Sequence, residues 1–259
     1  MTTEVPSRRL PGTPCWGSLM AHRAGPARDF YGALLGWEFT PGPEQLGWYA
    51  LAGAGRLRVA GIGAGEPESQ QPVSWTTMLA VDDADRAAES VRECGGTVGI
   101  GPLNVGDDGR LAFAVDPSGA VFGIWQGAPF GGPDAAGVPG SVAWSELVTN
   151  DSTLVGKFYE AVFGLAFERQ GAAGDDEDLA VLTVDGQAVA GVHGVGQALS
   201  QDRGAHWTTA FAVEDVEAAA ALAARLGGRV LTAPHPGPRG LTAVLADPEG
   251  AAFSVLALP

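Results

Sequence analysis

Residues 109–125 read GRLAFAVDPSGAVFGIW, and residues 239–256 read RGLTAVLADPEGAAFSVL. Each runs from an apolar strand through a DPxG turn into a second apolar strand, so each is a hairpin. The match spreads outward from there. Residues 74–82 (SWTTMLAVD) return as 206–214 (HWTTAFAVE), and 15–39 (CWGSLMAHRAGPARDFYGALLGWEF) return as 143–167 (AWSELVTNDSTLVGKFYEAVFGLAF). In the last pair Trp16, Leu19, Phe30-Tyr31 and Gly36 stay in register with Trp144, Leu147, Phe158-Tyr159 and Gly164. Self-similarity over so long a period marks a tandem duplication.

The repeats are expected at 13–127 and 140–259, joined by a Gly/Pro-rich linker at 128–139. In the first repeat a strand at 15–21 leads into a helix at 25–35 that carries Phe30, Tyr31 and Leu34 on one face. Strands follow at 37–41, 46–52 and 57–63. A further strand at 74–81 precedes a helix at 84–94 that stops at Gly95-Gly96, and strands at 97–101, 110–115 and 120–126 complete the pattern. The order is βαβββ twice per repeat and four times in the chain, an α+β fold.

Composition excludes several classes. Hydrophobic residues make up 46% and charged residues 17%, which suits packed cores and not a disordered chain. A net charge of -15 leaves no basic stripe for nucleic acid. No apolar run is long enough for a bilayer, and the N-terminus does not read as a secretory signal, so no membrane association and a cytoplasmic location are expected. Two cysteines, Cys15 and Cys94, make neither a disulfide framework nor a metal motif. A monomer or homodimer that takes a hydrophobic small molecule fits these bounds.

Four βαβββ units, a Phe-Tyr pair in the first helix and a DPxG hairpin before the last strand resemble the vicinal oxygen chelate superfamily. Its members include glyoxalases, extradiol dioxygenases and bleomycin-resistance proteins, and the likeness is to its two-domain actinobacterial branch. The resemblance implies two cup-shaped sheets and a divalent metal held by His, Gln or Glu from the first, fifth and last strands of each cup. Here those positions fall on Trp16 and Trp144, on Thr76 and Thr208 (or, one residue earlier, Trp75 and Trp207), and on Gly123 and Ser254. Indole, hydroxyl and hydrogen do not make a divalent site, so no metal is expected. His193 stands near the end of the fourth strand of the second repeat, aligned with Ile62 of the first, and lacks partner ligands.

Strand alternation then places Trp16, Ser18, Met20, Thr76, Met78, Val121, Gly123 and Trp125 along the first cup, with Tyr49 at its rim. The second cup takes Trp144, Glu146, Val148, Thr208, Ala210, Ala252, Ser254 and Leu256, with His193 near. Apolar walls with a few hydroxyls suit a flat hydrophobic ligand. Glu146 is an acid in an apolar strand, and if it faces the cup, burial should raise its pKa into acid/base range; facing solvent is the equal alternative. The glycines of 61–67 precede no helix, so no dinucleotide is expected, and there is no flavin motif or nucleophile elbow. Asp116 and Asp247 read as turn residues, Arg110 and Arg239 as surface residues able to close over a ligand, and the acidic run after Gly174 as a solvated loop.

Two functions fit. One is a cofactor-free tailoring enzyme of secondary metabolism that dehydrates, cyclises or isomerises an aromatic or polyketide metabolite, with Glu146 and His193 as catalytic groups. Trp16, Ser18, Met20, Tyr49, Thr76, Met78, Trp125, Trp144, Thr208 and Ser254 would hold the substrate. The other is a self-resistance protein that sequesters such a metabolite unchanged.

Overall fold

The expected order of elements is the observed one in a computed structural model, which describes residues 10–55, 57–65, 72–127, 137–170, 178–200 and 203–257. The first repeat contains β1 (Pro14–Ala21), α1 (Ala24–Leu35), β2 (Glu38–Pro41), β3 (Tyr49–Ala54), β4 (Leu57–Ala64), β5 (Trp75–Ala80), α2 (Ala84–Glu93), β6 (Thr97–Val105), β7 (Gly109–Val115) and β8 (Val121–Gly127). The second contains β9 (Val142–Thr149), α3 (Ser152–Phe163), β10 (Ala166–Arg169), β11 (Asp178–Val184), β12 (Gln187–Gly194), β13 (His206–Val213), α4 (Val216–Arg225), β14 (Arg229–Gly237), β15 (Gly240–Ala246) and β16 (Ala252–Ala257). Each repeat forms one eight-stranded sheet, ordered β2-β3-β4-β1-β5-β8-β7-β6 in the first and β10-β11-β12-β9-β13-β16-β15-β14 in the second. The acidic run at 175–177 and linker residues 128–136 lie outside the described residues.

Two boundaries differ from expectation. The third strand begins at Tyr49, not 46, because Glu44–Leu46 makes a single 3-10 turn closed by Gly47 at φ 63°. The strand expected to stop at 101 runs on to Val105, as β6 is an edge strand whose bulges around Ile100 accommodate Pro102.

Packing divides the chain differently from hydrogen bonding. Met1–Cys15, Thr77–Pro129 and Trp144–Thr208 form one compact unit, while Trp16–Thr76, Phe130–Ala143 and Thr209–Pro259 form the other. Each unit therefore combines the first βαβββ motif of one repeat with the second motif of the other. The core of the second unit packs Phe30, Tyr31, Trp37 and Trp75 with Phe211, Leu245 and Phe253. That of the first unit packs Phe122 and Ile124 with Phe158, Tyr159, Phe163 and Trp207.

The two sequence signatures meet in these cores. In the second unit Tyr31 donates to Asp247 of the DPEG turn at 3.1 Å and accepts from Trp75 Nε1 at 2.8 Å. In the first unit Tyr159 donates to Asp116 of the DPSG turn at 3.1 Å and accepts from Trp207 Nε1 at 2.9 Å. Each aspartate also holds its own turn: Asp116 Oδ1 accepts from the amides of Ser118 and Ala120, and Asp247 Oδ1 from those of Glu249 and Ala251. Burial raises both carboxyls above their ordinary value of 3.8, with the turn and tyrosine hydrogen bonds opposing the rise.

Helix starts show how the repeats diverged. Asp151, Asp83 and Asp215 cap α3, α2 and α4 by accepting the amide three residues on. At the position of Asp151 the first repeat has Arg23, which supplies no side-chain cap. Glu249 of the DPEG turn replaces it within the second unit, accepting from the amides of His22 and Arg23 at 2.8 and 3.0 Å. The DPSG turn has Ser118 in that place, and α3 needs no such help.

Candidate functional site

Alternation along β1 separates two faces in the second unit. Leu19 and Ala21 pack with α1 in the core, while Trp16, Ser18 and Met20 point the other way. On that face β4 pairs with β1 so that Gly61 lies beside Ser18 and Gly63 beside Met20, and β3 puts Tyr49 beside Gly63. With no side chain on either glycine, the Tyr49 ring lies flat across β4; a Cβ at Gly61 would overlap its hydroxyl and ring. Tyr49 Oη accepts from Trp16 Nε1 at 3.0 Å and shares a hydrogen bond with Ser18 Oγ at 3.0 Å. Tyr49 is half-buried, with its hydroxyl turned inward to Trp16 and Ser18. Burial raises its pKa above 10.0, opposed by bonds to Ser18 and Trp16, so it is a neutral phenol at physiological pH. Trp16 and Ser18 are buried, whereas Met20 is 44% exposed.

The same positions in the first unit carry different chemistry. On β9, Trp144, Glu146 and Val148 share a face, and β12 sets Gly191 beside Glu146 and His193 beside Val148. The pairing aligns His193 with Gly63 of the first repeat, one residue from the expected Ile62, which is buried in the core. Leu179 pairs with His193 as Tyr49 pairs with Gly63, so the second repeat has no phenol here. Trp144 Nε1 and Glu146 Oε1 instead converge over Gly191, 2.9 and 3.2 Å from where its Cβ would stand. Trp144, Glu146 and His193 are all half-buried. The His193 ring makes no hydrogen bond to another described residue and lies about 7 Å along the face from Glu146 by strand rise.

Elsewhere in the first unit Met78, Gly123 and Trp125 share the face away from α2, with Phe113 paired to Gly123 and Leu111 to Trp125. The Met78 thioether occupies the space a Gly123 side chain would need. Trp75 and Trp207 belong to the cores, which decides the register on β5 and β13: Thr76 and Thr208 face away from the helices. Ser254 lies beside Ala210 and Val244 in the second unit, half-buried. His206, bonded to the Gly204 carbonyl at 2.7 Å, has its pKa lowered mainly by burial and stays neutral. Arg110 is tied to Asn104 and Asp85 at 2.6 and 2.8 Å.

The donor set does not fit the divalent ion that the fold family implies. Indoles at 16 and 144, hydroxyls at 76, 208 and 254, and a glycine covered by a thioether at 123 replace imidazole and carboxylate. Among the described residues no three His, Cys, Asp or Glu side chains cluster as metal ligands, and no helix is long and apolar enough to cross a membrane.

Comparison with known proteins agrees with this fold. Residues 18–124 match the sequence model of the Glyoxalase/Bleomycin resistance protein/Dioxygenase superfamily, and residues 145–256 match that of the Glyoxalase-like domain. The chain is 36% identical to the anthracycline biosynthesis protein DnrV of Streptomyces peucetius, across 97% of this chain and 95% of that one. The anthracycline biosynthesis protein DauV of Streptomyces sp. (strain C5) gives the same figures. Among solved structures, the Mn(II)-bound glyoxalase from Novosphingobium aromaticivorans superposes with a TM-score of 0.65 at 16% identity, covering 98% of this chain and 84% of the other. The 2,3-dioxygenase LapB from Pseudomonas sp. KL28 superposes at 0.64 and 15%, covering 96% and 91%. Likeness at such identity speaks for the fold alone. With near full-length similarity to DnrV and DauV and a matched domain in each repeat, the chain belongs to the glyoxalase/bleomycin resistance protein/dioxygenase superfamily as a tandem pair of its domains.

Proposed function

We propose that the chain is a metal-independent tailoring enzyme of secondary metabolism that acts by proton transfer on a planar polycyclic substrate of the anthracycline class. One observation carries the reading. Glu146 and His193, a carboxylate and an imidazole, share a partly open face of the second repeat beside the half-buried indole of Trp144. Similarity along nearly the whole chain to two anthracycline biosynthesis proteins supports the substrate class. Two such groups on neighbouring strands, offset by two residues along one face, can give a proton to one atom of a bound molecule and take one from another. That chemistry serves dehydration, cyclisation or isomerisation next to a carbonyl. Trp144 would stack on the rings, and Glu146 would carry the proton. Metal independence rests on the donor set described above, and no dinucleotide or flavin motif suggests another cofactor.

The test is product formation from anthracycline-type intermediates, followed by mass spectrometry. Glu146→Gln should lower turnover by about 10²-fold, the usual scale for a general acid/base, with binding retained. Full activity in that variant would remove Glu146 from the mechanism. Tight binding of an intermediate that wild type returns unchanged would favour sequestration, a reading that the Met78–Phe113–Trp125 face, which has no ionisable group, also supports.

A further inference from the structure

The hydrogen bonds around Tyr49 leave one proton over. An indole nitrogen only donates, so Trp16 fixes Tyr49 Oη as an acceptor at 3.0 Å. Ser18 and Tyr49 together own two hydroxyl hydrogens, and the 3.0 Å bond between them uses one. If Tyr49 donates to Ser18, the Ser18 hydrogen is spare; if Ser18 donates, the Tyr49 hydrogen is spare. Neither hydroxyl has a further partner among the described residues. In both arrangements the pair has a hydrogen to give, and among the described residues no carboxylate is bonded to it to take that hydrogen up.

We propose that the Ser18–Tyr49 pair is a hydrogen-bond donor site for a carbonyl oxygen of a neutral polycyclic ligand, a quinone or aryl ketone. The assignment rests on the substrate class proposed above and adds to it the ring substituent that this face holds. Because the phenol stays protonated, its hydrogen remains in the pair at ordinary pH. A carbonyl oxygen of a ligand can accept the hydrogen that the pair does not use within itself. Ser18 itself is buried, while Tyr49 is half-buried and Met20 on the same face is 44% exposed, so a ligand would approach the pair from the Tyr49 and Met20 side. The second repeat has exchanged both members of the pair, with Glu146 in place of Ser18 and Leu179 in place of Tyr49. Duplication has thus separated a neutral donor site in one repeat from a titratable group in the other.

The experiment compares two probes of one shape, a hydroxymethyl anthraquinone and the anthracene bearing the same substituent, by titration calorimetry. Either single variant leaves a hydroxyl free to turn to the ligand, so the informative protein is Ser18→Ala/Tyr49→Phe. Quinone affinity should fall about tenfold in the double variant, as expected for a lost hydrogen bond, while hydrocarbon affinity stays within about twofold. The infrared carbonyl stretch of the quinone should move to lower frequency on binding wild type, a readout that needs no variant to fold. An unshifted stretch, or equal losses for both probes, would overturn the donor assignment and leave the proposed function standing. Wild type that binds neither probe would overturn both.

Discussion

Replacing Gly61 by alanine should damage this protein more than an added methyl group usually does. The new Cβ would occupy the place of the Tyr49 hydroxyl and ring edge, so the phenol must move. Moving it breaks the bonds to Trp16 Nε1 and Ser18 Oγ, each about 1 kcal/mol net, and overpacking adds about 1–3 kcal/mol. The ring is only half-buried and can swing toward solvent, which relieves part of the strain, so a loss of about 2–4 kcal/mol is expected. Urea denaturation with an unchanged slope would measure it. Gly191→Ala is the internal control at the matching position. There the Cβ would meet Trp144 Nε1 at 2.9 Å and Glu146 Oε1 at 3.2 Å, both on half-buried side chains that can give way. That variant should lose less than about 1 kcal/mol. If Gly61→Ala stays within about 0.5 kcal/mol of wild type, the packing of Tyr49 over β4 is not what holds this face.

Three other outcomes follow from the same structure. Glu249→Ala removes the borrowed cap of α1 and should cost about 1–2 kcal/mol in thermal or urea unfolding, more than Ser118→Ala at the matching turn, because α3 keeps Asp151. Asp116 and Asp247 have folded pKa values raised above 3.8, so at a given pH below those values the folded state holds more protons than the unfolded. The advantage of wild type over Asp116→Asn/Asp247→Asn should therefore grow as pH falls through the raised values toward 3.8 and be lost as pH rises; denaturation across pH showing a flat or opposite trend would contradict it. Arg23→Asp should restore a local cap to α1 and reduce the penalty of Glu249→Ala in a double-mutant cycle; strictly additive effects would argue against the shared role.

Much of the fold was legible because duplication printed it twice: every strand and helix of the first repeat recurs in order in the second. What the sequence hid were relations between repeats. The Phe-Tyr pair and the DPxG turn each read as local features, yet Tyr31 serves Asp247 and Tyr159 serves Asp116. Nothing local to Arg23 says that its helix is capped from residue 249. Single-residue registers were also beyond pattern reading. Two adjacent candidates, Trp75 and Thr76, are separated by the burial of Trp75 in the core, where it donates to Tyr31. His193 aligns with Ile62 in the sequence pattern and with Gly63 in the strand pairing, a one-residue shift that turns a side chain to the other face. Tyr49 was readable as an aromatic near the face. Its reach to Trp16 and Ser18 depends on glycines at 61 and 63, whose significance is visible only when the ring is seen lying across them.

The most direct test is turnover of an anthracycline-type intermediate by protein stripped with a chelator and checked by elemental analysis to be free of divalent metal. Wild type should convert the intermediate at an undiminished rate, and Glu146→Gln prepared in the same way should bind it without converting it. Activity that disappears on stripping and returns with added manganese, iron or zinc would contradict the account.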